Sequence, residues 1–201
     1  MEINLSRMRT DEIFHLMTTK GSEAYFAEEV TQLDHALQAA HHARINTDIE
    51  EVILAALLHD IGHLIESTPM SDENTEGLGH SDHDKLGGTY LTKLGFSNYV
   101  VDMVENHVQA KRYLVTNDPN YRKNLSEASK QTLIYQGGPM WPAEVEIFET
   151  NENFDDLILI RLCDDLAKVP DMKIEGLEFY RNIMENHLQR SQENYKYENN
   201  N

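Results

Sequence analysis

Apolar residues recur at the spacing of an α-helix along almost the whole chain, and this periodicity limits the fold more than any other feature. It predicts helices over residues 8–19, 33–45, 48–63, 83–94, 98–114, 127–136, 142–150, 154–168 and 177–190. No alternating apolar and polar run is long enough to predict a strand, and no internal repeat is present. The expected fold class is therefore all-α, a helical bundle.

Polar residues at the ends of these segments predict where several helices begin and end. Ser97 and Ser126 stand at N-cap positions, and Thr47 with Glu50 three residues later forms a capping-box pattern. Gly95 is placed to end a helix, because glycine adopts the left-handed conformation of a C-cap easily.

Two internal segments and the C-terminus depart from helical periodicity. Residues 21–31 are irregular, and residues 66–82 are acidic and rich in Ser, Asn and Gly, which is typical of a surface loop that could act as a lid. We expect one domain over residues 1–190 and a flexible C-terminal tail over residues 191–201.

The charge and composition of the chain exclude several classes of partner. The 201 residues carry a formal net charge of −18, whereas nucleic-acid binding requires clustered Lys and Arg, so we expect no nucleic-acid partner. No apolar stretch approaches the roughly 20 residues of a membrane helix, and the N-terminus lacks a signal-peptide core. These features predict no membrane partner and a cytoplasmic location; the sequence carries no indication of an oligomeric state.

An adjacent histidine and aspartate, His59 and Asp60, follow the apolar run 54–58. A carboxylate at the end of a buried helix needs a partner, and the pair offers a metal ion two ligands from one rigid piece of backbone. A zinc-protease motif built on His59 and His63 is disfavoured, because that motif places Glu directly after the first histidine and this chain has the shorter Asp60.

Further histidines and an aspartate recur on other predicted helices, where a bundle could bring them to one point. With the adjacent pair, the candidate metal ligands are His35, His59, Asp60, His83, His107 and Asp164. Four imidazoles suit Fe, Zn, Mn or Ni, and Asp60 could bridge two ions. Each lone histidine is, taken singly, more often a surface or core residue than a ligand, and this alternative stays open at this point.

A cation, or a group that can become one, lies one helical turn from three of the candidate ligands. Lys111 follows His107 by four residues, Arg161 precedes Asp164 by three, and His63 follows His59 by four. Cations beside metal ions bind oxyanionic substrates such as phosphate or phosphonate. For any one of these pairs, an ordinary salt bridge on a solvated face is the alternative interpretation.

At these residues the chain resembles the HD-domain superfamily, named for its His-Asp pair, and the segment 83–88 favours His83 over His80 as the third ligand. A closer resemblance is to the small HD-domain mixed-valent di-iron oxygenases that cleave 1-hydroxyphosphonates. It extends from about Tyr25 to His187 and is densest in residues 105–115, 124–129 and 135–140. The last two segments carry no generic metal chemistry and therefore discriminate the subfamily better than the ligands do.

The resemblance implies a role for each candidate residue. The six ligands would hold two mixed-valent iron ions, Fe(II) and Fe(III), with Asp60 bridging them and dioxygen as co-substrate. The implied substrate-binding residues are Lys111, Ser129 and Arg161, and the implied catalytic residues are Tyr25, Glu28 and His63. In this subfamily the tyrosine occupies one iron in the resting site and leaves when substrate arrives, while the glutamate helps to recognise the substrate.

The implied reaction is O2-dependent cleavage of a carbon–phosphorus bond. The substrate would be 2-amino-1-hydroxyethylphosphonate or its N-trimethyl analogue, and the products phosphate and glycine or glycine betaine. A metal-dependent phosphohydrolase acting on a nucleotide or another phosphate ester is the main alternative, since the same ligands would serve it. A non-catalytic HD module that binds a nucleotide or partner protein is a third hypothesis, although such modules usually lack ligands and this set is complete.

Overall fold

The computed structural model describes residues 4–25, 28–65 and 82–199, and in these ranges the chain folds into packed helices. The α-helices are α1 (Leu5–Lys20), α2 (Gln32–Asn46), α3 (Glu50–Leu58), α4 (His83–Leu94), α5 (Asn98–Asn117), α6 (Pro119–Asn124), α7 (Glu127–Tyr135), α8 (Pro142–Phe148), α9 (Phe154–Leu166) and α10 (Arg181–Asn199). Within the described residues, β pairing is confined to a single bridge between Ala24 and Thr31. The predicted all-α class is confirmed.

Helix α3 lies at the centre of the bundle because its sequence is apolar on every side. Each residue from Val52 to Leu58 is at most 4% exposed, and the helix packs against α2, α5, α9 and α10. A helix that is hydrophobic all round must be buried. Since His59 and Asp60 follow directly after α3, burial of this helix carries both of them into the interior of the molecule.

Helix α3 ends earlier than the predicted segment 48–63, and a short 3-10 helix, Ile61–Leu64, follows it. Asp60 has φ −100° and ψ 11°, which takes the chain out of the α-helical path. A Cβ atom at Gly62 would lie 1.9 Å from the carbonyl oxygen of His83, so only glycine allows this turn to pack so closely on α4. The break in the helix therefore lets the segment after Asp60 approach α4.

Most of the predicted helix ends match the structure. The side chains of Ser97 and Ser126 accept hydrogen bonds from backbone N–H groups at the starts of α5 and α7, and Gly95 ends α4 with φ +83°. The capping box predicted at Thr47 and Glu50 is wrong. Thr47 ends α2 instead, and its hydroxyl accepts a bond from Ile49 N in the turn that leads into α3.

Two further differences concern the second half of the chain. The short helix α6 was not predicted, because its six residues, which begin with Pro119, are too few to show a recognisable periodicity. Helix α10 continues to Asn199, beyond the predicted end at residue 190, so the flexibility of the tail stays a prediction, as does the single domain over 1–190. The acidic segment 66–82 lies outside the described residues except for Asp82.

In the part of the chain that the structure covers, no helix combines the length and apolarity that a membrane span requires.

Candidate metal centre

Five helical elements bring the six predicted ligands together in the interior. Helix α2 supplies one of them, the end of α3 two, and α4, α5 and α9 one each; these residues are His35, His59, Asp60, His83, His107 and Asp164. All six are at most 9% exposed. They form two trios, His35, His59 and Asp164 in the first and Asp60, His83 and His107 in the second, with the ligand atoms of each trio within 4.8 Å of one another.

Asp60 lies between the two trios and directs one carboxylate oxygen toward each. Its Oδ2 is 3.6 Å from Nε2 of His35 and 3.3 Å from Nε2 of His59. Its Oδ1 is 3.2 Å from Nε2 of His83 and 3.4 Å from Nε2 of His107. A carboxylate in this position can bridge two metal ions.

Backbone carbonyl groups fix the orientation of three of the imidazoles. A carbonyl oxygen can only accept, so the Nδ1 atom of each ring must be the donor. These bonds are His35 Nδ1 to Ala167 O at 2.8 Å, His59 Nδ1 to Ala56 O at 2.8 Å and His107 Nδ1 to Val104 O at 2.7 Å. The Nε2 atoms, which face the centre, are thereby left as the ligand atoms, as in metal sites whose histidines are oriented by outer hydrogen bonds.

The facing nitrogen atoms require a positive charge between them. The Nε2 atoms of His35 and His59 are 3.1 Å apart, and neutral rings with protonated Nδ1 would oppose two lone pairs there. Burial lowers the pKa of His35 to about 4. Burial also opposes protonation of His59, but the charge and hydrogen bond of Asp60, together with the charge of Asp164 and the bond to Ala56 O, outweigh burial and raise the pKa of His59 to about 9. A metal cation meets this demand for positive charge, so the residues fit a metal pair.

Tyr25 covers the first trio from the turn between α1 and α2. Its hydroxyl donates to Asp60 Oδ2 at 2.9 Å, and its ring stacks on His35 with centroids 3.8 Å apart. Burial and the charge of Asp60 raise the pKa of Tyr25 well above its ordinary value, which keeps the phenol protonated in this contact. The Tyr25 N–H bonds to Val30 O at 2.9 Å and the Glu28 N–H to Tyr25 O at 2.7 Å, so the turn itself holds this position.

His63 has the equivalent place beside the second trio. Its ring stacks on His83 with centroids 3.9 Å apart, and its Nε2 lies 3.9 Å from Asp60 Oδ1. Each oxygen of the Asp60 carboxylate is therefore approached by one further polar side chain, Tyr25 on one side and His63 on the other.

Lys111 presents a buried ammonium group one turn after His107. The residue is 3% exposed, and its Nζ donates to Thr132 Oγ1 at 2.7 Å and to Gln136 Oε1 at 2.8 Å, two uncharged acceptors. Burial, together with repulsion from Arg161, lowers the pKa of Lys111 to about 7. A buried cation with neutral hydrogen-bond partners is suited to bind an anion.

Arg161 fixes the orientation of the candidate ligand Asp164. The residue is 3% exposed, and its guanidinium donates to Asp164, Asp165 and the hydroxyl oxygen of Tyr121. Burial alone would raise the pKa of the Asp164 carboxyl, but the positive charges around it, of which Arg161 is the strongest, together outweigh burial and hold that pKa well below its usual range. Asp164 is therefore an ionised candidate ligand of fixed orientation, and the predicted role of Arg161 in substrate binding stays a prediction.

Ser129 and Glu28, two further predicted site residues, are joined by a cation that the sequence prediction missed. Lys168 Nζ donates to Ser129 Oγ at 3.0 Å and lies 3.6 Å from Glu28 Oε1. Lys168 follows Asp164 by four residues, the same spacing that singled out Lys111 after His107. That spacing draws attention to Lys168, but α9 ends at Leu166, so helical periodicity does not determine the direction of its side chain.

Comparison with known proteins places this centre in a family. Residues 32–134 match the model of the HD domain, a span that contains five of the six candidate ligands, including the His-Asp pair, and leaves out Asp164. The chain belongs to the HD-domain family. The helical HD-domain architecture expected from the sequence is thus confirmed.

Relatives of this HD-domain protein extend over most of its length. It is 39% identical over 184 residues to hydroxymethylphosphonate dioxygenase of Gimesia maris, covering 91% of this chain and 90% of the relative. It is 41% identical over 155 residues to the glycine-betaine-forming 1-hydroxy-2-(trimethylamino)ethylphosphonate dioxygenase of Leisingera caerulea, covering 77% of each. A protein of Acanthamoeba polyphaga mimivirus whose name assigns no function is 41% identical over 183 residues, covering 90% of this chain and 83% of the relative. The resemblance to HD-domain phosphonate oxygenases is confirmed.

Proposed function

We propose that this protein is a di-iron dioxygenase that uses O2 to cleave the carbon–phosphorus bond of a small 1-hydroxyphosphonate. The position of Asp60, with one oxygen toward each of two buried ligand trios, supports a metal pair, and the observation that carries the reaction class is the similarity to phosphonate dioxygenases. The chain is 39% and 41% identical to two named phosphonate dioxygenases, over 91% and 77% of its own length. A phosphohydrolase of the same family is less well supported, because neither named relative is a hydrolase.

The described residues fit two iron ions. His35, His59 and Asp164 would hold one ion, His83 and His107 the other, and Asp60 would bridge them. Imidazole and carboxylate ligands suit iron, and this set contains no cysteine thiolate. Mixed-valent iron, when bound, supplies the one-electron chemistry and Lewis acidity that a reaction with dioxygen requires.

The chain's own polar groups would bind and orient the substrate. Lys111 would donate to the phosphonate oxygens, joined by the hydroxyl of Ser129 and by Arg161, which also holds Asp164 in place. His63, beside Asp60 Oδ1, would hydrogen-bond the substrate at the second trio. Fixing both the phosphonate and the neighbouring carbon limits the substrate to a reactive orientation.

Tyr25 would act as a gate. In the structure it occupies the space beside Asp60 Oδ2, so a substrate that enters the first trio has to displace its hydroxyl. Tyr25 lies between α1 and α2 and outside both helices, so a local movement that displaces its side chain would leave both helices folded. Such a gate would keep the site closed to water until substrate arrives.

The proposed substrate is 2-amino-1-hydroxyethylphosphonate or its N-trimethyl analogue, giving phosphate and glycine or glycine betaine. The two named relatives act on compounds that share a phosphonate and an adjacent hydroxyl and differ in the third substituent. The Glu28 carboxylate, 3.6 Å from Lys168, supports a cationic group at that third position. Hydroxymethylphosphonate, which lacks this group, is the natural comparison.

Oxygen dependence tests the proposed function directly. We expect iron-loaded protein to release phosphate from one of these three phosphonates only when O2 is present, with one O2 consumed for each phosphate released. The measurement pairs a phosphate assay with an oxygen electrode, and omission of the phosphonate is the control. Phosphate release from ordinary phosphate esters under anaerobic conditions, with all three phosphonates untouched, would instead identify a phosphohydrolase.

The pH dependence of catalysis should report the protonation of Lys111. Its pKa of about 7 means that the group is charged below this pH and loses its proton above it, so phosphonate binding by Lys111 weakens as the pH rises. Lys111→Arg keeps its charge throughout, because the guanidinium pKa exceeds about 12. We therefore expect the ratio of native to Lys111→Arg kcat/KM to fall between about pH 6 and pH 8.5, since titration of the phosphonate cancels in this ratio. A ratio that stays constant would contradict this role.

A further inference from the structure

Lys168 lies where three parts of the candidate site meet, and none of the roles above depends on it. Its side chain is 13% exposed. Its Nζ donates to Ser129 Oγ at 3.0 Å and to Ser126 Oγ at 3.4 Å, both at the start of α7, and it lies 3.6 Å from Glu28 Oε1 in the turn that also carries Tyr25. The ammonium group therefore connects the segment after α9 to α7 and to this turn.

The backbone on both sides of Lys168 is fixed to α2. The carbonyl oxygen of Ala167 accepts from His35 Nδ1 at 2.8 Å. The N–H and carbonyl groups of Val169 bond to the Oε1 and Nε2 atoms of Gln38, each at 2.9 Å, and Gln38 is 2% exposed. A lysine whose neighbours are held by a candidate metal ligand and by a buried amide is positioned by the fold.

Lys168 also differs from Arg161 in how strongly its charge is compensated. Arg161 donates to two carboxylates, Asp164 and Asp165. Among the described residues, Lys168 forms an ion pair with the Glu28 carboxylate, at 3.6 Å and beyond hydrogen-bonding distance, and Glu28 Oε1 is buried without a hydrogen-bond partner. The pair is therefore close enough for charge attraction and leaves both groups with unused hydrogen-bonding capacity for a ligand.

The direction of the bond to Ser129 adds a further consequence. Because the Ser129 oxygen accepts from Lys168, its own proton is available for donation to another oxygen. A hydroxyl that accepts a charge-assisted bond is also a stronger donor. Ser129 is thus arranged to donate to an oxyanion, and Lys168 is the group that arranges it.

We propose that Lys168 is a positioning residue of this site, which orients the Ser129 hydroxyl toward the phosphonate oxygens and holds the Glu28 carboxylate at the opposite end of the substrate. The inference rests on the proposed function for the identity of the substrate. It assigns Lys168 an effect mainly on binding, because the residue acts through Ser129 and Glu28 and lies outside the two ligand trios.

Lys168→Met tests this role, since methionine keeps the length of the apolar stem and removes the ammonium. We expect the Kd of iron-loaded protein for inorganic phosphate, measured by titration calorimetry, to rise at least about tenfold. With the hydroxyphosphonate as substrate, KM should rise by a similar factor while kcat stays within about threefold of the native value. Lys168→Arg, which retains the charge, should recover phosphate affinity to within about threefold.

Lys173→Met is the matched control, because Lys173 lies on the same connection after α9 and is exposed. It removes the same charge and should leave phosphate affinity and KM unchanged. The proposal is overturned if Lys168→Met binds phosphate as the native protein does, if Lys173→Met weakens phosphate binding equally, or if Lys168→Met lowers kcat and leaves KM unchanged.

The two readouts separate this inference from the proposed function. Phosphate binding does not require turnover, so its dependence on Lys168 would stand even if no hydroxyphosphonate were cleaved. Conversely, O2-dependent cleavage with equal phosphate affinity in native and Lys168→Met proteins would support the proposed function and reject the role of Lys168.

Discussion

Replacing Asp60 by asparagine is expected to abolish assembly of the metal pair and with it O2-dependent phosphate release. Asp60 is the residue that faces both trios, with Oδ2 3.3 Å from His59 Nε2 and Oδ1 3.2 Å from His83 Nε2. Asparagine keeps the volume but loses the negative charge and replaces one oxygen with an NH2 group, which cannot bind a cation. Loss of an outer hydrogen-bond partner alone typically weakens a metal site about 10–100-fold, so loss of a bridging ligand should lower activity by at least about 100-fold.

The Asp60→Asn experiment needs a measure of metal as well as of activity. We expect bound iron, determined by elemental analysis, to fall from about two ions per chain to one or fewer. Asp155→Asn is the control, because Asp155 is exposed at the start of α9 and makes the same change of charge far from the trios. Two bound irons and full turnover in Asp60→Asn would show that the bridge is unnecessary.

The part of the centre that sequence could predict is the part fixed by single helices. The run that ends in Leu58 is apolar on all sides, which predicts burial of α3 and therefore of His59 and Asp60 at its end. Lys111 follows His107 by four residues, and residues at this spacing are neighbours on a helix, so both lie on one face of α5. In each case a local period determines the position, and no knowledge of the packing is needed.

Contacts between distant segments lie outside the reach of such patterns. The stacking of Tyr25 on His35, and of His63 on His83, depends on where two irregular turns lie against α2 and α4. Lys168 was missed because it follows the end of α9, so its direction is set by the bonds of its neighbours to α2 and is independent of helical period.

The same limit affects Arg161. Sequence spacing correctly placed it one turn from Asp164. Its second carboxylate, Asp165, could have been inferred from the four-residue spacing, but the bond to Tyr121 comes from α6, a helix that the periodicity did not indicate. The resulting network compensates the charge of Arg161, whereas the hydrogen bonds of Lys111 go to uncharged acceptors. For this reason we expect Lys111 to contribute more than Arg161 to the proposed binding of the phosphonate.

Ligand geometry does not distinguish an oxygenase from a hydrolase, because both reactions can use four imidazoles and bridging carboxylates. Replacement of the metal by zinc distinguishes the oxygenase reaction from the hydrolase reaction. Zinc accepts the same nitrogen and oxygen ligands as iron but has a filled d shell and no redox chemistry, so it can activate water and cannot supply electrons to O2. The identity of the metal is therefore a test of the reaction class that leaves the protein itself unchanged.

Exchange of iron for zinc is expected to eliminate phosphate release from hydroxyphosphonates, by at least about 10³-fold, because zinc has no accessible redox state. The zinc-loaded protein should retain its unfolding temperature and its affinity for inorganic phosphate, since Lys111 and Ser129 are unaltered. Removal of zinc and reloading with iron should restore the activity, which excludes damage during the exchange. Cleavage of phosphate esters by the zinc-loaded protein would favour the phosphohydrolase. Hydrolysis requires two Lewis-acidic cations and a water molecule, and it needs no redox-active metal.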